Sequence, residues 1–389
     1  MRTVRRLLAA VAGLLALTGL PYVLYALLVR VVDAEGSPAD KREWEPAVSV
    51  VIPTYNEADI VEAKLRDTLS LDYPLGKLEL VIADASDDGT PDVVRSFLDR
   101  WRDEHDGPAP DLVLLHDDER RGVAPALNEE FAAASGEVVF RTDADSRLGE
   151  DALRHATANL ADPAVGAVTG RQTEVLGDSG VESEYRDLLS RLQGMESHLD
   201  STFIFHGPCF AFRREEFRPV AGDSLADDTE FAVRVRRGGK RVVMDPAMRF
   251  TESGVSRFGK RRRRKDRRAM GLVQVLVRNR DALGRYGRFG RVVLPFNVWF
   301  MLVSPWLLAA SVALATLAGL LLAGPLGLLV PAALAATLAL GGRERLGPLQ
   351  PAYVLLDAQV SLLVAGVRLV VEDDAGVWEL DRESREAFR

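Results

Sequence analysis

With a single cysteine, Cys209, the chain cannot close an internal disulfide, and its five histidines (105, 116, 155, 198 and 206) fall at no ligand spacing, which argues against a structural zinc site. The soluble part is therefore expected in the cytosol. Lysine is scarce: it occurs only at 41, 64, 77, 240, 260 and 265, so nearly all basic charge is arginine. The net charge of −8 and pI of about 5.4 say nothing by themselves about chemistry. No G-x-G-x-x-G follows the first candidate strand, and no G-x-x-x-x-G-K-[ST] occurs anywhere, which disfavours a dinucleotide dehydrogenase or a P-loop NTPase.

Charge is missing from two long runs. Leu7 to Val29 is apolar over 23 residues between Arg2, Arg5, Arg6 and Arg30, long enough to span a bilayer core of about 30 Å. A secretory signal would have a shorter apolar region and an A-x-A-like site, so an uncleaved anchor is the better reading. Val292 to Leu340 carries no charge over 49 residues, enough for two spans, with the break expected at Gly324 and Pro325. A last apolar stretch, Leu349 to Val371, holds Asp357, Gln359 and Arg368; it spans or lies against the others. Between the runs lies KRRRRKDRR, Lys260 to Arg268. Alone it reads as a nucleic-acid patch, a localisation signal or a membrane-surface helix. Its place before an apolar span, with Arg278, Arg280, Arg285, Arg288 and Arg291 following, favours the cytoplasmic leaflet.

What stands between the membrane segments is alternating. VSVVIPTYNE (Val48 to Glu57), LELVIADASDDGT (Leu78 to Thr90), Leu112 to His116 and Val138 to Thr142 read as buried strands. Glu57 to Leu71, Pro91 to Arg102 and Ala124 to Ala134 have helical spacing between them. The alternation predicts an α/β, doubly wound and mostly parallel sheet, Rossmann-like, whose polar strand ends at 54–57, 84–88 and 143–145 converge on one crevice. In EVVFRTDADSR (Glu137 to Arg147), Asp143 and Asp145 sit one residue apart just past the strand. Such a pair can offer oxygen ligands to a hard divalent cation that also grips a diphosphate; a plain acidic turn is the alternative.

Taken in order, these motifs resemble family 2 glycosyltransferases of GT-A fold, in the membrane-anchored form, over about Val48 to Gly271. The resemblance implies that Pro53, Tyr55, Asn56 and Glu57 line the nucleotide pocket and that Asp84 pairs with the base. It also implies that Asp143 and Asp145 hold Mg²⁺ or Mn²⁺, with Asp143 on the donor side. Asp87 to Thr90 continues the pattern, and Arg120 to Asn128 resembles the family's G-K-x-x-A-L-N turn with Val123 in place of Lys. His206 to Glu215 resembles the acceptor-side segment, with His206, Gly207 and a packed Cys209. Leu225 to Gly239 resembles the E-D-x-[DE]-L helix start: Asp227 is its acceptor-side acid, and Asp228 aligns with the catalytic base. An acceptor hydroxyl must lose its proton as it attacks, which a carboxylate in reach can accept; both aspartates also suit a helix N-terminus. Arg264, Lys265, Asp266, Arg267 and Arg268 stand where processive relatives carry Q-x-x-R-W, so Arg267 keeps the motif's Arg while Gln and Trp are both replaced by Arg; the resemblance implies that Arg264 or Arg267 closes over the diphosphate.

The expected organisation is an anchor at 1–32, a linker at 33–46, the catalytic domain at 47–256, basic juxtamembrane helices at 257–291, membrane helices at 292–371 and a polar tail at 372–389. The expected activity is inverting transfer from a UDP- or GDP-sugar to a lipid-linked or polysaccharide acceptor, one or few sugars at a time, by a multi-pass membrane protein with a cytoplasmic catalytic domain and no nucleic-acid partner. A processive synthase, or a catalytically silent subunit of the same fold, is the alternative.

Overall fold

The computed structural model describes residues 1–32, 36–116, 122–176, 180–253 and 258–371. The tail 372–389, linker residues 33–35, Arg120 and Arg121, and the boundary expected at 256/257 lie outside the described residues.

Helix α1 (Arg2–Val31) precedes the sheet domain. Strand β1 (Val48–Thr54), helix α2 (Val61–Leu69), β2 (Leu78–Asp84), α3 (Thr90–Glu104), β3 (Asp111–His116), α4 (Val123–Ala133) and β4 (Val138–Arg141) follow the expected alternation. Helix α3 starts where it does because Gly89, at φ +84°, takes the left-handed turn that a side chain would resist, and Pro91 sits in the first turn. Then come β5 (Ser146–Leu148), α5 (Ala152–Leu160), β6 (Val165–Leu176), α6 (Gly180–Leu199), β7 (Phe210–Arg213), α7 (Asp227–Arg237) and β8 (Arg241–Ser253).

Among the described residues, eight strands form one sheet in the order β3-β2-β1-β4-β7-β6-β8-β5. The four strands read from the sequence are parallel to one another, whereas β7 runs antiparallel between β4 and β6, and β5 is antiparallel to β8. The chain leaves β1 to one side for β2 and β3 and returns to its other side at β4, which makes the carboxyl ends of β1 and β4 the switch point where open α/β sheets bind ligands. One face of the sheet packs with Val61, Leu65, Phe97, Leu98 and Leu153, the other with Phe131, Phe205, Phe210, Phe212 and Phe231. Each such ring or branched side chain contributes about 1.5–3 kcal/mol by leaving water. The long pair β6 and β8 slips register next to Pro246, which has no N–H to give to a ladder.

After the sheet come α8 (Phe258–Arg278), α9 (Leu294–Val298), α10 (Ser304–Ala323), α11 (Leu329–Gly341) and α12 (Gln350–Val371). Among the described residues three helical stretches are long and apolar enough to cross a membrane: 2–31, 289–341 and 352–371. The second has wide π-turns at Phe289–Val293 and Trp299–Val303, each two residues ahead of a proline that cannot donate to the preceding turn. The carbonyl of Phe300, five residues before Pro305, accepts instead from Gln359 Nε2 of α12 at 3.3 Å. The break expected at Gly324 and Pro325 is present as a 3₁₀ turn over Gly324–Leu328. There the chain folds back so closely that a Cβ on Gly319 would lie 2.9 Å from Gly327 Cα, the small-residue contact by which membrane helices approach.

Asp357, a carboxylate within the last apolar stretch, is paired with Arg262 and Lys265 of α8. The basic run therefore does more than face lipid: one side of α8 ties α12 to the sheet domain. The N-terminal helix is tied in as well, since Tyr25 donates to buried Glu196 of α6 at 2.9 Å and Asn297 of α9 donates to the same oxygen at 3.1 Å.

Candidate active site

The loops after β1 and β2 are stitched into one wall. Asn56 N donates to Ser86 Oγ at 2.7 Å, Asp87 N to Asn56 Oδ1 at 3.0 Å, Glu57 N to Thr90 Oγ1 at 3.0 Å and Ala58 N to Asp88 Oδ2 at 3.2 Å. Asn56 adopts φ +54°, a left-handed conformation that asparagine tolerates better than most residues. Pro53, Tyr55 and Glu57 lie in or beside this joined pair of loops. Asp84 ends β2 but is buried and already accepts from Thr54 Oγ1 at 2.7 Å, Ser86 Oγ at 2.6 Å and Ser86 N at 3.1 Å, with His116 Nδ1 at 3.1 Å. A base N–H reaching Asp84 would have to displace one of these, and the half-exposed His116 is the most readily exchanged.

Asp143 and Asp145 follow β4 directly and are both partly exposed at the switch point. Among the described residues no group of three or more His, Cys, Asp or Glu could by itself hold an ion. Two carboxylates with a solvent-facing side fit a magnesium-like cation, which keeps waters and completes its shell with substrate phosphate.

The residue that organises this region is one the sequence reading did not single out. Arg141, the last residue of β4, is buried, and its Nη2 lies 3.1 Å from Asp143 Oδ1 while its Nη1 lies 3.6 Å from Asp227 Oδ2. One guanidinium thus bridges the donor-side acid and the first acid of α7. Gly207 explains how it fits: a Cβ there would sit 2.3 Å from Arg141 Nη1. Behind it, fully buried Glu130 of α4 has, among the described residues, no hydrogen-bond partner on either carboxyl oxygen, and burial pushes it up to about 8 against the pull of Arg141. Neither group stands out in the sequence: Glu130 follows Glu129, and Arg141 opens the polar stretch that ends an apolar strand.

Asp228 accepts from Gly207 N at 2.8 Å and from Thr229 N at 2.6 Å, one bond to each oxygen. Burial, and next the adjacent Asp227, push its carboxyl up to about 6, with Arg141 opposing. Asp227 is raised as well, by burial, and is held in check by Arg141. An acid tuned toward neutrality with free lone pairs is what proton acceptance near pH 7 requires. His206 is a different matter. Burial and Arg268 lower it to about 4, its Nε2 meets the Gln193 side chain at 3.2 Å and its backbone N donates to Thr169 Oγ1 at 3.0 Å, so the neutral ring supports the wall beside Gly207. Cys209 is packed and fully buried, with its thiol pushed up by burial, as expected of a small core residue.

Helix α8 closes the remaining side. Gly271 lets it press against the residues before α7, where a Cβ would come within 2.8 Å of Ala226 Cβ and of the Leu225 backbone. Arg264 and Arg268 share Glu252 at 3.3 and 3.5 Å, and Arg267 is lowered by burial and by its two arginine neighbours while Asp227 and Asp143 draw it back up. Arg264 and Arg267 therefore come to the same region as Asp143 and Asp227.

The model of glycosyl transferase family 2 matches residues 49–220, and that of glycosyl transferase family group 2 matches residues 138–341. The chain belongs to glycosyltransferase family 2. A solved mannosyltransferase from Pyrobaculum calidifontis, in complex with GDP-Man and Mn²⁺, is 32% identical with a TM-score of 0.77, the match covering 95% of this chain and 100% of that one. A probable glycosyltransferase of Bacillus subtilis, YdaM, is 27% identical over 52% of this chain and 49% of its own. The poly-beta-1,6-N-acetyl-D-glucosamine synthase of Staphylococcus aureus is 24% identical over 64% of this chain and 60% of its own. The chain thus spans about half the length of the curated relatives it matches. This family 2 glycosyltransferase has the GT-A sheet together with the apolar helices described above.

Proposed function

We propose that this glycosyltransferase inverts the anomeric centre, moving a sugar from a nucleoside diphosphate to an acceptor held at the membrane. The observation that carries the reading is the single guanidinium of Arg141 between Asp143 and Asp227, which sets the D-x-D turn and the start of α7, with Asp228, on one crevice. Asp228 accepts the acceptor hydroxyl's proton as that oxygen attacks the sugar carbon, and one base with one direct displacement inverts the centre. A cation held by Asp143 and Asp145 supplies charge neutralisation at the leaving diphosphate. Arg264 and Arg267 add positive charge on the α8 side. The relative solved with GDP-Man and Mn²⁺ supports a GDP-sugar and a divalent ion ahead of the UDP alternative. Salt bridges from α8 to α12 put the site next to an apolar helix, which supports a lipid-linked or polysaccharide acceptor and a multi-pass protein whose Arg-rich α8 faces the cytoplasm.

Addition of one or few sugars is the expected outcome. The position of the family's Trp is Arg268, whose guanidinium is turned to Glu252 and offers a sugar no apolar face on which to stack. Product size under limiting acceptor, after a donor panel read by nucleoside diphosphate release, tests both statements. Uniform extension by one residue supports them; long chains beside untouched acceptor refute single addition, and no release from any donor refutes the transfer itself.

A further inference from the structure

Lys64 stands on α2 in the middle of the apolar stripe of Val61, Leu65 and Leu69, and none of its side chain reaches solvent. A leucine or methionine would fill that stripe at least as well. A lysine ammonium is tolerated there only if its protons find acceptors; Asp67 of its own helix lies 3.8 Å away, and among the described residues all the hydrogen bonds it donates go to one turn. Nζ donates to Thr142 Oγ1 at 2.8 Å, to the Ser146 carbonyl at 3.0 Å and to Ser146 Oγ at 3.3 Å. Thr142 immediately precedes Asp143, and Ser146 immediately follows Asp145. The two hydroxyls lie 3.0 Å apart, Ser146 Oγ donates on to the Asp143 carbonyl at 2.8 Å, and Thr142 N is held by the Val51 carbonyl of β1 at 3.0 Å. The ammonium thus grips both ends of the D-x-D turn from behind, on the side away from the crevice.

We propose that Lys64 is a positioning residue for cation and donor binding: it holds the turn so that Asp143 and Asp145 face one point before the diphosphate arrives, and it touches neither ligand itself. This rests on reading those two aspartates as the cation ligands. Groups that orient the ligands of a metal typically account for about 10- to 100-fold in affinity or activity.

The test uses the full chain in detergent and measures the Mn²⁺ dissociation constant by the spin resonance of free Mn²⁺ with GDP present, next to kcat at saturating Mn²⁺ and the melting temperature. Lys64→Met keeps an unbranched apolar side chain without the ammonium. It is expected to weaken Mn²⁺ binding about 10- to 100-fold with kcat at saturation within about three-fold of wild type. Thr142→Val, which leaves Lys64 but removes its shortest acceptor, is expected to move the same constant in the same direction by less. A lower melting temperature with unchanged Mn²⁺ affinity in both variants is what mere packing predicts, and it overturns the proposal. Should Lys64→Met fail to fold, Thr142→Val and Ser146→Ala decide alone: unchanged Mn²⁺ affinity in both overturns it. Asp145→Asn separates the two levels. If it leaves Mn²⁺ binding intact, the ligand reading falls and this proposal with it; if it abolishes binding while the Lys64 and Thr142 variants bind normally, only the positioning role falls.

Discussion

Replacing Asp228 with Asn is expected to slow sugar transfer by about 10²- to 10⁴-fold while donor and cation still bind. The carboxylate accepts two backbone N–H groups, from Gly207 and Thr229, one on each oxygen. An asparagine keeps one of these bonds and turns its own NH₂ against the other donor, a loss of about 1–3 kcal/mol that a folded domain of this size survives. What it cannot do is accept a proton. Because burial and Asp227 raise Asp228 to about 6, wild-type kcat/KM should fall as the pH drops below about 6, where the base becomes protonated. The residual rate of the Asn variant should lack that limb. Pre-steady-state transfer and equilibrium donor binding, followed across pH 5 to 8, check both; weakened donor binding with normal turnover would point to a helix-capping role.

Gly207→Ala should produce the second large loss, near 10²-fold in kcat, from one methyl group. Gly207 is not among the residues at positive φ, so the backbone itself accepts alanine. The obstacle is Arg141 Nη1, 2.3 Å from the new carbon, and the guanidinium cannot retreat without leaving Asp143, Asp227 or both. Displacements of about 1 Å at a reacting constellation cost about this much in rate. Circular dichroism and thermal melting should show a folded protein. A wild-type rate would mean that the guanidinium moves freely and that its bridge does not matter to transfer.

The first half of the fold was legible because its strands are buried on both faces and contain unbroken apolar runs, Val50 to Ile52, Leu80 to Ile82 and Val138 to Phe140, each followed by a burst of polar residues. The second half was not. β6 and β8 extend past the core with Arg171, Glu174, Asp245, Pro246 and Arg249 inside them, so neither periodicity nor composition marks them as strands. Asp143, Asp145, Asp227 and Asp228 stand out as paired acids at element ends. Arg141 and Lys64 do not, since a lone cation in an apolar segment acquires meaning only from partners far away in the chain: Asp227 lies 86 residues beyond Arg141 and Ser146 lies 82 beyond Lys64. The basic run carries a second role that its density does not reveal, since Arg262, Arg264, Lys265 and Arg268 are each matched to a carboxylate on the sheet domain or α12.

Donor binding is expected to depend on a cation held at the D-x-D turn. Equilibrium binding of the donor that the panel identifies to the full chain in detergent, in Mn²⁺ and in EDTA, for wild type and Asp145→Asn, tests it. The prediction is saturable binding by wild type in Mn²⁺ that disappears in EDTA and in the variant. Equal binding by both proteins in both buffers would contradict it.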